Sequence, residues 1–555
     1  MAVRVSQPPK TISRRMRVLR ENLTAYALLS PAMLLIFIFG IFPVGFAFFV
    51  SLHRWRRFPG DYLGMNNYIR ALGDLTYVLF FWLAVGALAY AALLLWRLLR
   101  RLEPGERVSS WTSLVPGVVT GGAILAFVNW SALLLPIILN IPQRIRGQER
   151  VPGLFINELF ASFQMPEAVS AGNLFLAMLV VSVALVAAWR WVLGGKKWDS
   201  HLISATGAVF AAAVGILLMQ LTLDTIGAAI EAARADGEAL PIWSQIVLIS
   251  AGFGLLAAAY LIWTRAHRQE NGDRTALAMA LTAILLLIGA YLLIAQLPVA
   301  LADADRDVTQ GFSITVMFVL GTVPFQLAIG LALGTLLYQN IKAKAMFRVA
   351  YFIPYVMPFV ATSIVFTLIF GHRPTSIMNQ VFTTFGLPLQ KWLLEPKGVF
   401  ELLIPGIPEF LSGPSLALIV IMIYTTWTYI GYDTAVFLAG LGNIPADVYE
   451  AARIDGANAW QMFRRITLPL LSPTTFFLTL IAVIGTFQAF TQIWIMRTPA
   501  AQSSVDTIGV VIFETINATD PNMGYGSAMA FVLFAVILIL TVVQNRIASR
   551  SVFYG

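Results

Sequence analysis

Residues 413–437 read GPSLALIVIMIYTTWTYIGYDTAVF, an apolar run whose one charged residue, Asp433, stands near its end. A helix rises about 1.5 Å per residue, so this run matches the roughly 30 Å hydrocarbon core of a bilayer. Lipid offers backbone amides no partners, so a segment of this kind spans as a helix. Comparable runs lie at 25–50, 77–96, 112–139, 172–189, 202–222, 243–264, 275–297, 312–338, 349–371, 471–496 and 523–545. The first is too long, and lacks the small-residue cleavage site, to be a removable signal peptide. Composition agrees: 58% of the 555 residues are hydrophobic and 12% charged, with 38 phenylalanines. Soluble proteins are about a quarter charged, so a water-soluble globule is excluded. The expected fold is all-α, a polytopic membrane protein with about 12 transmembrane helices.

Zero cysteines exclude a disulfide scaffold and thiolate chemistry. The histidines, His53, His201, His267 and His372, are too scattered for a metal centre. Basic residues set the orientation. With the N-terminus inside, 24 of the 37 Lys and Arg fall in cytoplasmic segments and 13 outside. Both termini are therefore expected in the cytoplasm, and the net charge of +9 reflects retention beside anionic lipid rather than nucleic-acid binding. No run carries a charge at its middle, whereas ion-coupled transporters usually bury ionisable groups on their pathway. Driving energy is thus expected from outside the bilayer.

The inner loop after 413–437 continues Asn443-Ile444-Pro445-Ala446-Asp447-Val448-Tyr449-Glu450-Ala451-Ala452-Arg453-Ile454-Asp455-Gly456-Ala457, then reaches Phe463 and Ile466-Thr467-Leu468-Pro469. It reads as a short surface helix, with Asn443 or Asp447 as cap and Pro445 in the first turn. Gly456 supplies the left-handed stop. Ala451 and Ala452 leave a flat face for a docking protein, and Glu450 offers it a charge. Trp460 and Phe463 face lipid or protein as the chain enters the next span.

Glu450, Ala451, Ala452, Asp455, Gly456, Ala457, Phe463, Ile466, Leu468, Pro469 and Pro473 together resemble the EAA motif of permease subunits in binding-protein-dependent ABC importers. The flanks are similar to the maltose-transporter type, the MalF-type subunit: Leu29-Ser30-Pro31-Ala32, Phe42-Pro43, Asn67-Tyr68, Phe347-Arg348, Phe352-Ile353-Pro354, Asn379, Gly386 and Trp392-Leu393. The resemblance covers 25–70 and about 307–555. It implies a six-helix type I ABC importer permease core built from the runs at 25–50, 312–338, 349–371, 413–437, 471–496 and 523–545. The chain then divides into a basic cytoplasmic N-terminus (1–24), the first core helix and outer loop (25–70), an inserted region (71–306) with about six extra helices, and the remaining core (307–555) with its coupling loop at 443–470. The insertion must cross an even number of times, because the core resumes on the outer side. Glu231-Ala232-Ala233-Arg234-Ala235-Asp236-Gly237 repeats the start of the motif, but Ser244, Val247, Ile249 and Ser250 replace its later positions. The charge tally puts that repeat outside, beyond reach of an ATPase.

Sugars are held by aromatic stacking and by neutral hydrogen-bonding side chains. Thr425, Thr428, Tyr429 and Tyr432 form one stripe at helical spacing, and the resemblance places sugar contacts there. Thr486, Phe487, Gln488 and Phe490, with Gln492, fall near the family's second contact cluster, although the family's Thr-Gly-Gly-Gly-Pro ending is shortened to Arg497-Thr498-Pro499. The bland alternative for Trp427, Tyr429 and Tyr432 is an interfacial belt or helix packing. No phosphate loop, nucleophile elbow or zinc helix occurs, so no catalytic or metal residues are expected. The implied protein is a permease subunit for a sugar or oligosaccharide in a prokaryotic plasma membrane, with no cofactor of its own. Its implied partners are a second (MalG-like) permease, two ATPase subunits that bind ATP and Mg, and an extracytoplasmic substrate-binding protein. The rival reading is an ion-coupled secondary transporter of a polar solute.

Overall fold

The computed structural model describes residues 14–100, 107–148, 152–193, 197–237, 241–266, 272–339, 341–408 and 411–551. The first part of the basic N-terminus, His267 and the final residues lie outside these. Among the described residues the chain is helical and has no strand; the only extended pairings are isolated bridges. Ten helices among the described residues are long and apolar enough to cross a membrane, or up to 12 where each of two bent helix pairs is one span.

The spans follow the hydropathy runs. They are α1 (Thr24–Ser51), then the short α2 (Asn66–Leu72), α3 (Leu75–Arg100), α4 (Leu114–Arg144), α5 (Pro166–Ala188), α6 (His201–Ala235), α7 (Ile242–Ala266), α8 (Thr275–Ala300) and α9 (Arg306–Tyr338). The run at 349–371 is broken. It forms α10 (Lys344–Val356) and α11 (Phe359–Ile369), which meet at 97°. Pro358 causes the break: it lacks an amide and forces the preceding Met357 into extended geometry (φ −71°, ψ 145°). Then come α12 (Leu416–Gly442), α13 (Ala446–Ile454), α14 (Ser472–Phe487), α15 (Thr491–Met496), α16 (Ile508–Asn517) and α17 (Met523–Ile547). The run at 471–496 is also discontinuous, because the chain unwinds at 488–490 between α14 and α15.

Helices α9 and α12 run side by side in the core of the bundle. Gly330 and Gly334 permit their contact: a Cβ at 330 would stand 2.7 Å from the Asp433 Cβ, and one at 334 would stand 3.1 Å from the Phe437 Cβ. Small residues at helix crossings are the usual membrane solution, since packing rather than water exclusion drives association there. Gly431 similarly lets α12 touch the backbone of α10 at Tyr351.

The inserted helices leave and rejoin the core at one point. The Asp305 amide donates to the Arg70 carbonyl at 2.9 Å. The Asp305 carboxylate accepts from the Tyr525 hydroxyl at 2.7 Å, and the Arg70 guanidinium lies 4.1 Å from the centre of the Tyr525 ring. Gly73 (φ +59°) makes the exit turn against the Ala300 carbonyl. Six candidate spans among the described residues, α3 to α8, lie between these junctions. Their core joins Tyr77, Ile226, Ile242 and Ala300 to Met65 and to Ala528 of α17. The repeat at Glu231–Gly237 follows Ile226, and so lies at this end of the bundle. Helix α13, which follows the far end of α12, lies at the opposite end.

Candidate functional site

A cavity of about 450 Å³ opens among α9, α10, α11, α12 and α14. Thr425, Tyr429 and Tyr432 reach it from α12, Thr486 from α14, and Gln488 and Phe490 from the unwound stretch beyond. With Gln492 of α15, seven of the nine residues named from the sequence therefore converge. Thr428 and Phe487 do not line it. Thr428 is fully buried and its hydroxyl returns to the Tyr424 carbonyl at 2.9 Å, which is how a threonine is satisfied inside a membrane helix. Phe487 packs with Val319, Val323 and Ala482.

The aromatic wall is a set of neighbouring rings, of which Tyr355 and Tyr432 are stacked. Tyr355 lies 5.0 Å from Tyr432 at an interplanar angle of 25° and 5.9 Å from Tyr429, and Phe359 lies 6.0 Å from Tyr429. The break at Pro358 turns Phe359 toward the cavity and is fastened by Tyr424, whose hydroxyl bonds the Thr362 hydroxyl at 2.7 Å and donates to the Phe359 carbonyl at 3.1 Å. Trp427 packs on Phe366 at 5.1 Å instead, the helix-packing role weighed against binding.

The sequence reading missed Gln326, Tyr355, Phe359, Gly485, Thr491 and Asp433 among the lining residues. Asp433 is the important omission. It is 2% exposed, and among the described residues its Oδ2 has no hydrogen-bond partner. Its place in an apolar run was the available signal, since an intramembrane carboxylate is a functional candidate by default. The expectation of a pathway free of ionisable groups is corrected accordingly.

Nine residues beyond Asp433, α12 ends and the loop turns into α13. Neither expected cap forms: Pro445 occupies the N-cap without a side-chain bond, and Asn443 closes α12. Gly456 does adopt the left-handed conformation (φ +78°), and the Ala457 amide reaches back to the Ala452 carbonyl at 2.9 Å. That pattern ends a helix by satisfying its free carbonyls. Ala452 is buried, so only Ala451 belongs to the outward face, beside exposed Glu450 and Asp455. Ile454 is 87% exposed and Trp460 66%, two large apolar side chains on the outward side of this loop. Tyr449, unremarked in the sequence, anchors the element. Its hydroxyl bonds Thr467 at 3.1 Å, and its ring packs on the cluster of Phe437, Leu441, Ile444 and Leu471. Leu468 and Pro469 continue the anchoring segment, which bends by 63° into α14.

Outside the spans, the segment after α15 is held by Arg497, which donates to Asp506 at 2.8 Å and to Glu514 at 2.5 Å. Burial pushes the Asp506 carboxyl up to about 6, and the Arg497 charge offsets only part of that rise.

The family described as binding-protein-dependent transport system inner membrane component matches residues 326–552. The arabinooligosaccharides transport system permease protein AraP of Bacillus subtilis (strain 168) is 29% identical over 240 residues, covering 43% of this chain and 69% of AraP. The sulfoquinovosyl glycerol transport system permease protein SmoG of Agrobacterium fabrum is 31% identical over 234 residues, covering 42% and 69%. The chain belongs to this family of inner membrane transport components. A solved alginate ABC transporter, in complex with a pentasaccharide-bound periplasmic protein, contains a chain 20% identical with a TM-score of 0.39, covering 45% of this chain and 81% of that one. The family match takes in α10 to α17 and the end of α9 and begins beyond the inserted helices, so the cavity and the exposed helix α13 both lie within the family's part of the permease.

Proposed function

We propose that this chain is the membrane-spanning half of an ATP-driven importer for a sugar or oligosaccharide. The observation that carries the reading is that one rigid helix, α12, supplies four cavity residues and then, past Asn443, runs into the exposed helix α13. Force applied at Glu450, Ala451, Asp455 and Gly456 is thereby delivered to Thr425, Tyr429 and Tyr432, with Ala452, Ala457, Leu468 and Pro469 as the joint. Separate ATPase subunits, holding ATP and Mg, dock on α13 through Ile454 and Glu450. Their closure turns the core from inward-facing to outward-facing by rigid-body motion. A second permease completes the path, and an extracytoplasmic binding protein delivers substrate on the α2 side. Both termini lie in the cytoplasm of a prokaryotic plasma membrane. The relatives' named cargoes and the aromatic, hydroxyl- and amide-bearing cavity wall support a saccharide.

The test is uptake by the assembled transporter in proteoliposomes. Glu450→Lys removes the docking charge, and Gly456→Pro cannot adopt φ +78°. Both are expected to abolish ATP-dependent uptake while the chain still inserts. Uptake driven by an ion gradient without ATPase subunits would instead select a secondary transporter.

A further inference from the structure

We propose that Asp433 and Gln326 form an acceptor pair that contacts substrate and makes the cavity discriminate against anionic saccharides. The proposal rests on the saccharide reading above. Both residues line the same cavity and both are 2% exposed. The Asp433 Oδ2 and the Gln326 Oε1 are buried without a hydrogen-bond partner among the described residues. They come from different helices, and Gly330, one turn along α9 from Gln326, is what brings α9 against Asp433. No Lys, Arg or His lines the cavity, so no basic side chain there can balance an anionic ligand.

Buried acceptors are normally satisfied, and leaving two unmatched on the wall of one cavity is unfavourable unless another molecule completes them. The complement is a ligand that presents donors: sugar hydroxyls, or the ammonium group of an amino sugar. A uronate or sulfonate would bring a bare negative charge into a low-dielectric space that offers it no cation and faces it with acceptor oxygens. The aromatic face of Tyr355, Tyr429 and Tyr432 accepts a sugar ring whatever its charge. Charge selection therefore falls to Asp433, with Gln326 as its neutral neighbour. Discrimination by an unfavourable contact of this kind is a common route to specificity.

The test measures binding to the full-length chain in lipid nanodiscs by saturation-transfer difference NMR. Three probes of equal length are used: maltotriose, the trimer of glucosamine, and trigalacturonate. The expected wild-type order places trigalacturonate at least about tenfold weaker than maltotriose. Asp433→Asn should shrink that gap to less than about threefold with only a small change for maltotriose. Gln326→Glu, which adds a second carboxylate, should widen it by about tenfold and tighten the glucosamine trimer. The proposal is overturned if wild type binds maltotriose and trigalacturonate equally, or if neither substitution moves their ratio. Binding of none of the three probes to wild type would overturn the saccharide reading itself and this proposal with it.

Discussion

Replacing Gly431 by Ala tests whether the cavity depends on the close approach of α10 to α12. A Cβ at 431 would stand 2.7 Å from the Tyr351 carbonyl carbon and 3.0 Å from the Phe352 Cα, and nearer still to the Tyr351 oxygen. Carbon atoms attract best at about 3.5–4.0 Å, so α10 must retreat by roughly 1 Å. Overpacking of this kind costs about 1–3 kcal/mol. The substitution also brings the ordinary helical gain of Ala over Gly, about 0.5–1 kcal/mol. Gly254, in α7, provides the control, because a Cβ there meets nothing within 4 Å. The Gly254→Ala variant should show the gain alone, leaving the two variants about 1–3 kcal/mol apart. Unfolding in mixed micelles by SDS titration, followed by circular dichroism, measures the difference. Tyr355, one turn beyond Tyr351, moves with α10, so saccharide binding should weaken in Gly431→Ala and not in Gly254→Ala. Equal stability of the two variants would refute the packing argument.

Other expectations follow from single residues. Asn379 is fully buried; its Nδ2 faces the carbonyls of Gly371, Arg373 and Gln390, and its Oδ1 accepts from the Gln390 amide and, at 2.8 Å, from the Trp392 indole. Asn379→Leu strands those groups at about 1–3 kcal/mol each, and limited proteolysis should then cut within 372–412. Tyr424→Phe removes the fastening of Thr362 and Phe359; at about 0.6 kcal/mol per membrane hydrogen bond, it should lower stability slightly yet weaken saccharide binding, which a binding titration resolves. Asp506 is protonated more readily when folded, so its contribution is full below about pH 4 and is lost as pH rises through about 6. The Asp506→Asn variant should therefore show a flatter pH–stability curve between those limits. Removing the shared contact with Asp305→Ala should loosen the junction of the inserted helices, read as faster hydrogen exchange at Gly73 and Thr76.

The sequence by itself determined the class of fold and the identity of the exposed helix. Twelve apolar runs cannot stay in water, and lipid leaves an isolated span no conformation but the helix, so hydropathy alone is decisive there. Gly456 was legible for a similar reason, since a helix stop with φ +78° is a local property of the chain. The cavity was legible only in part. Spacing along α12 placed Thr425, Thr428, Tyr429 and Tyr432 on one stripe, but a stripe includes positions that face a neighbouring helix, and buried Thr428 is one. Which stripe residues meet substrate depends on where α9, α10 and α14 press, and that is set by glycines on separate helices and by the Pro358 break. Asp433 and Gln326 are 107 positions apart along the chain. Only the packing of α9 on α12 puts them in one cavity, because helix crossings are fixed by pairs of surfaces and no single run contains both.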